Sequence, residues 1–230
     1  MFRSAVLFLF STFLAVQPLA AAAEPLPTIK ASIFCFRYAP ELDTIYLRDK
    51  AGGYIKTELS TANIVGPQDV VVENQFVTLH RQQAGANGEA TYPMVGRVRV
   101  PDACPRALIL LLPAAKGAEL PYHSLAFAHT DQGFPLGSMK MVNLSPYPVR
   151  GAVGADTVNV ASGKVVDFKP TGAPGASVDV LFQFQKEDRW QRMAATRWTL
   201  REDRRFLMCI YEDPASGRMH LRSIPDRTQP

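Results

Sequence analysis

Cysteine and histidine are scarce, with three and four among 230 residues, and none stands at a metal-binding spacing. There is no C-x-x-C and no H-x-x-x-H. His123 and His129 are the nearest pair. On one continuous strand they would share a face yet lie about 20 Å apart, too far to hold one ion. Nucleophile motifs are missing too: the chain has no G-x-S-x-G elbow and no S-x-x-K in a β-lactamase-like setting. The acidic pairs Glu187-Asp188, Glu202-Asp203 and Glu212-Asp213 fall at expected strand ends or turns. Adjacent side chains on a strand point to opposite faces, which is poor geometry for a paired acid and base. No catalytic residue, metal ligand or cofactor is assigned.

Long apolar runs and clustered charge are also lacking. Beyond the first residues the longest run, "ALILLLPAA" (107–115), suits a buried strand and is too short to cross a bilayer. No membrane span is expected in the mature chain. The formal net charge of +4 is far from the concentrated basicity that nucleic acid requires, so no nucleic-acid partner is expected.

What the chain does have begins at its N-terminus. Arg3, the apolar run "AVLFLFSTFLAV" and the small residues Ala21 and Ala23 have the layout of a secretory signal peptide cut between Ala23 and Glu24. The mature chain is then 24–230, periplasmic or secreted, and an oxidising compartment follows. Two of Cys35, Cys104 and Cys209 can pair there. Cys35–Cys104 is the preferred disulfide, expected to contribute about 4 kcal/mol, and it leaves Cys209 free in the second half.

Nearly every mature segment reads as a strand. Asn87-Gly88 supplies the positive-φ positions of a tight hairpin between "QFVTLHRQ" and "YPMVGRVRV". "RALILLLP" has the continuous apolarity of a strand buried on both faces. "RRFLMCIYED" and "MHLRSI" flank the hairpin loop "EDPASGR". No stretch carries capped 3.6-residue periodicity. The fold class expected is all-β: two Ig-like β-sandwich domains, 24–113 and 121–225, packed end to end. The expected connector is 114–120, between the cleaved signal peptide 1–23 and a flexible tail 226–230 at the two extremes.

In "SMKMVNLS", Met139, Met141 and Asn143 share one strand face, with Lys140 expected toward solvent. Two methionines suit Cu(I) only beside a histidine or cysteine, so core packing is the expectation. "SPYP" is expected to turn the chain, and "PVRGAVG" to return as the paired strand. The cadence "FPLGSMKMVNLSPYPVRGAVGADTVNVASGK" resembles that of small exported bacterial Ig-like domains and, distantly, of accessory periplasmic proteins of alginate acetylation. The resemblance implies a sandwich that binds or supports something, and it brings no catalytic residue.

The one patch with binding chemistry is "RWQRMAATRWTLREDRR". On a regular strand Trp190, Arg192 and Trp198 share a face, with Arg189, Arg197 and Arg201 on the other. Arginine beside an aromatic suits anions or sugars through bidentate pairing and stacking. Against this stands the ordinary alternative, in which tryptophans fill the core and arginines cover it. Trp198 is expected inside and Trp190 partly outside. The leading functional expectation is an exported, non-enzymatic binding or accessory protein of a cell-envelope complex, its partner an envelope protein or polysaccharide. The alternative is a carbohydrate-active or ester-cleaving enzyme with a site assembled from scattered residues.

Overall fold

The computed structural model describes residues 26–226, so the signal-peptide segment 1–23 and its cleavage point lie outside the described residues. Two halves follow one another, and both are all strand. The first comprises β1 (Thr28–Cys35), β2 (Thr44–Arg48), β3 (Tyr54–Glu58), β4 (Val65–Val71), β5 (Phe76–His80), the short β6 (Gln83–Ala84) and β7 (Ala90–Thr91), β8 (Met94–Arg99), β9 (Arg106–Pro113) and β10 (Tyr122–Ala128). The second comprises β11 (Met139–Asn143), β12 (Val149–Val153), β13 (Asp156–Val160), β14 (Val165–Phe168), β15 (Ser177–Lys186), β16 (Arg189–Thr199), β17 (Arg205–Glu212) and β18 (Met219–Asp226).

The halves are wired alike. The first pairs the sheet β10-β9-β1-β4 with β3-β2-β5-β8; the second pairs β18-β17-β11-β14 with β13-β12-β15-β16. With the ribbon β6–β7 set aside, β1 to β5 correspond to β11 to β15, and β8, β9 and β10 to β16, β17 and β18. Even the exceptional parallel pairings correspond: β1 with β9, and β11 with β17. The sequences of the halves do not repeat, because a sheet demands only alternation and turn chemistry, which many residues satisfy.

Each pair of sheets encloses an apolar core, and a third core joins the pairs. Alternation along β9 shows how. Ala107, Ile109 and Leu111 enter the first core, while Leu108 and Leu110 point the other way. There they meet Phe34, Phe127 and Phe134, together with Val142, Leu207, Cys209 and Ile224 from the second half. Burying a side chain of this size contributes about 1.5–3 kcal/mol, so the joint is a true core. The halves therefore meet face to face through their inner sheets, and the end-to-end packing is corrected. Strands buried on both faces have to be apolar throughout, which is why "RALILLLP" is so.

Several other expectations change. Residues 114–120 close the β9–β10 hairpin, with Ala114 N–H donating to Pro121 O, and the chain crosses between halves at 129–138. "PVRGAVG" does not pair with the methionine strand: β12 lies in the outer sheet, between β13 and β15. Lys140 is buried, not solvated, and its ammonium sits over the rings of Phe127 and Phe134 and pairs with Asp167. Asp226, assigned to the tail, ends β18 and is buried.

The Cys35–Cys104 disulfide is also corrected: all three thiols are free. In the parallel β1–β9 register Lys30 lies beside Arg106 and Cys35 beside Leu111. Cys104, two residues before Arg106, is thus more than five residues of strand, or more than ~16 Å, from Cys35, well beyond the roughly 7 Å limit for bridging. Cys35 Sγ instead donates to Arg37 O, and Cys104 Sγ to Arg106 O. Cys209 lies in the joint between halves.

Candidate binding surface on the outer sheet of the second half

β15 and β16 form the longest hairpin of the fold, ten and eleven residues. The turn residues Glu187 and Asp188 both have positive φ, 51° and 59°, as a two-residue type I′ turn requires. The acidic pair is therefore a solvated turn.

A bulge decides which β16 side chains share a face. Arg192 pairs with Gln183 and Ala194 with Phe182, so Met193 is the inserted residue. Insertion of one residue exchanges the faces beyond it. Trp198 falls opposite Val178, on the inward side, with its ring 5.7 Å from that of Phe182. Arg197 falls opposite Asp179 on the outward side and donates from Nε at 2.7 Å. The grouping of Trp190 and Arg192 with Trp198 is thus corrected: Trp190, Arg192 and Arg197 share the outer face. The bulge is fixed only by the pairing register with β15; within the sequence, the apolar step Met193-Ala194 is its one trace.

The outer face is arranged around Trp190, which is half-buried. Arg150, on the neighbouring β12, lies with its guanidinium carbon 4.2 Å from the Trp190 ring centroid and donates from Nε to Gln183 at 2.9 Å. A cation over an indole contributes about 0.5–1 kcal/mol at an exposed site, enough to fix both groups. Arg189 and Arg192 stand exposed nearby. β16 carries no acidic side chain; its charge is concentrated at Arg189 and Arg192 near the turn, because Arg197 is paired with Asp179 of β15. Asp179 raises the pKa of exposed Arg197 further by accepting its hydrogen bond, so that group is cationic at any physiological pH.

Trp198 is also half-buried, although it belongs to the second core. It walls a slot of about 220 Å³ between β16 and β18, lined by Met139, Phe206, Met208 and Ser223 together with Arg197 and Thr199 of β16 itself. Met139 is thus core packing at the slot's floor. Asn143 satisfies a turn: its amide donates to Tyr147 O and Val160 O and its oxygen accepts from Ser145 N–H and O–H.

Two further places carry polar chemistry. A cleft of about 530 Å³ opens between the inner sheets, its walls including Phe36, Leu112, Leu125, Leu144 and Tyr211. Its lining holds one histidine, His123, one carboxylate, Glu212, and no serine, threonine, cysteine or lysine. That set provides neither a side-chain nucleophile of the acyl-transfer kind nor two carboxylates. At the crossing between halves, Arg205 is completely buried with Asp226 and His129. Arg205 Nε donates to Asp226 Oδ2 at 2.7 Å, His129 Nε2 lies 2.5 Å from the same oxygen, and Arg205 Nη1 donates to Phe134 O. Sequence reading missed this cluster because "DRRF" and the final strand resemble ordinary surface; only long-range packing brings 129, 205 and 226 together.

Burial pushes the Cys35 thiol up to about 11 and the Cys209 thiol up to about 12, so both are unreactive near neutrality. His80 bonds Tyr92 O and Thr78 Oγ1. Among the described residues no group of three or more His, Cys, Asp or Glu could hold a metal ion, and no helix is long and apolar enough to cross a membrane. The chain matches no protein-family model, and no curated protein matches it in sequence.

Proposed function

We propose that this chain is an exported, non-enzymatic binding or accessory protein of a cell-envelope complex, and that it meets its partner through the outer sheet of its second half. The carrying observation is the outer face of β16: Trp190 held under Arg150, with Arg192 exposed beside it and no acid on the strand. A large aromatic kept partly in water forgoes burial, and tryptophan and arginine are both enriched at binding hot spots. An acidic partner fits this charge, whether envelope protein or polysaccharide.

The same reading takes each half as an Ig-like sandwich domain, in line with the resemblance carried by residues 134–164. The export placement rests on the N-terminal residues, and intact mass of the mature protein starting at or near Glu24 tests it. The enzyme alternative would place its site in the cleft, whose lining offers Arg37, His123, Tyr211 and Glu212 but no serine, threonine, cysteine or lysine.

The test compares wild-type chain with Trp190→Ala/Arg192→Glu, both immobilised and exposed to solubilised envelope from the producing cells. A component retained by the wild type and lost from the variant is expected; equal retention by both would overturn the assigned face. Hydrolysis of chromogenic acetyl esters or glycosides above the buffer rate would overturn the non-enzymatic reading.

A further inference from the structure

The two halves are wired alike, so their corresponding edges can be compared directly. In the first half the edge strands β8 and β10 pack along one another. A Cβ placed on Gly96 of β8 would lie 3.2 Å from Tyr122 Cβ and 3.6 Å from Ser124 Oγ of β10, so backbone and side chains are already in contact. Glycine permits that closeness. In the second half the corresponding strands, β16 and β18, meet sparsely. Between them lies the slot walled by Trp198, with Met139, Phe206 and Met208 behind it. Thr196, on the inward side of β16 opposite Val180, is exposed. One sandwich is closed along this edge and its counterpart is open.

We infer that the open edge accepts an extended acidic polypeptide segment of a partner, added as a strand along β16 with one apolar side chain in the Trp198 slot. This deepens the binding reading above and rests on it. Three observations select the occupant. β16 is the edge strand of its sheet, and such a strand presents unpaired backbone groups that a peptide can complete. The slot exceeds the roughly 150 Å³ cavity that holds a benzene ring, so it has room for a large apolar side chain. Arg189 and Arg192 stand exposed near the hairpin turn with no acid on β16 beside them, while Arg197 is paired with Asp179, so an incoming segment gains from glutamate or aspartate at the Arg189–Arg192 end. A polysaccharide could use the outward arginines, but it would neither fill the slot nor complete the backbone pairing.

The experiment uses the mature chain and a blocked nine-residue peptide of alternating glutamate and leucine. A control peptide of the same sequence is N-methylated at alternate residues, and dextran sulfate serves as the polyanion. Amide exchange in 195–199 is expected to slow by about tenfold or more with the peptide. The N-methylated peptide is expected to bind about tenfold more weakly or worse, since it cannot pair along the strand. Ser223→Phe, which fills the slot from an exposed position, is expected to lose affinity similarly while keeping its urea midpoint. Undiminished binding of the N-methylated peptide overturns strand addition whether or not the Ser223 variant folds well. If dextran sulfate binds and the peptide leaves β16 unprotected, strand addition is overturned and the basic face stands. If neither probe binds, strand addition is overturned, and the Trp190/Arg192 comparison decides the wider reading separately.

Discussion

The edge β8/β10 in the first half and the edge β16/β18 in the second occupy the same place in the same strand order, yet one is sealed and the other is not. The sealed edge has a glycine against Tyr122, whose hydroxyl donates to Leu42 O at 2.6 Å and accepts from Ala39 N–H at 3.1 Å. The open edge has two long strands, a bulge, several arginines and a tryptophan that reaches neither full burial nor full exposure. The same topology therefore supports a purely structural edge and an edge with features of a recognition surface. What separates them is side-chain volume and charge.

The largest effect is expected where the halves are joined, since both edges depend on it. Arg205→Ala leaves the Asp226 carboxylate buried without its guanidinium, and a stability loss of about 3–5 kcal/mol is expected in urea unfolding. A loss near zero would mean that the buried pair adds little to the fold. Prying open the sealed edge comes next. Gly96→Val drives a branched side chain into Tyr122 and Leu79, at an expected cost of about 1–3 kcal/mol, while Thr196→Val on the open edge is expected to shift stability by less than about 0.5 kcal/mol. Equal costs would erase the contrast between the edges.

Trp198→Ala sharpens the comparison further. A half-buried ring walling a slot is expected to contribute about 1–2 kcal/mol, below the cost of removing a fully buried aromatic. A loss of about 4 kcal/mol or more would make the slot part of an ordinary core.

Near neutral pH the smallest effect belongs to the thiols. Cys35, in the first core, and Cys209, in the joint, titrate near 11 and near 12, above the ordinary value of 9.0. Between the ordinary and folded values the unfolded chain releases protons that the folded chain retains, so rising pH favours unfolding. Stability is expected to be unaffected by these groups below pH 8 and to fall between about 9 and 12. A urea midpoint followed over that range checks it, and Cys209→Ala should flatten the decline. Iodoacetamide at pH 8 is expected to label half-buried Cys104 first; prior labelling of Cys209 would contradict its burial.

The sequence was most informative where the physics is local. Glu187-Asp188 and "EDPASGR" were legible as turns because turn chemistry resides in adjacent residues; Asn87-Gly88 also turns the chain, although only Gly88 of that pair has positive φ. "RALILLLP" was legible as a doubly buried strand because its own apolarity requires it. Of the candidate site, the arginine and tryptophan composition could be read, and the half-exposure of Trp190 matches its expected position. Its face grouping could not be read, because the bulge at Met193 shows only against β15.

By itself, then, the sequence determined the all-strand character, the turn positions and the two-sided burial of β9, each set by propensity and alternation within a few residues. The tertiary structure alone decided which sheet each strand joined, and with it the separation of Cys35 from Cys104. It also decided that Lys140 lies over two phenylalanine rings and that His129, Arg205 and Asp226 share a buried site. These outcomes depend on contacts between residues far apart in the chain, where many sequences fit the same local pattern and only packing selects the partners.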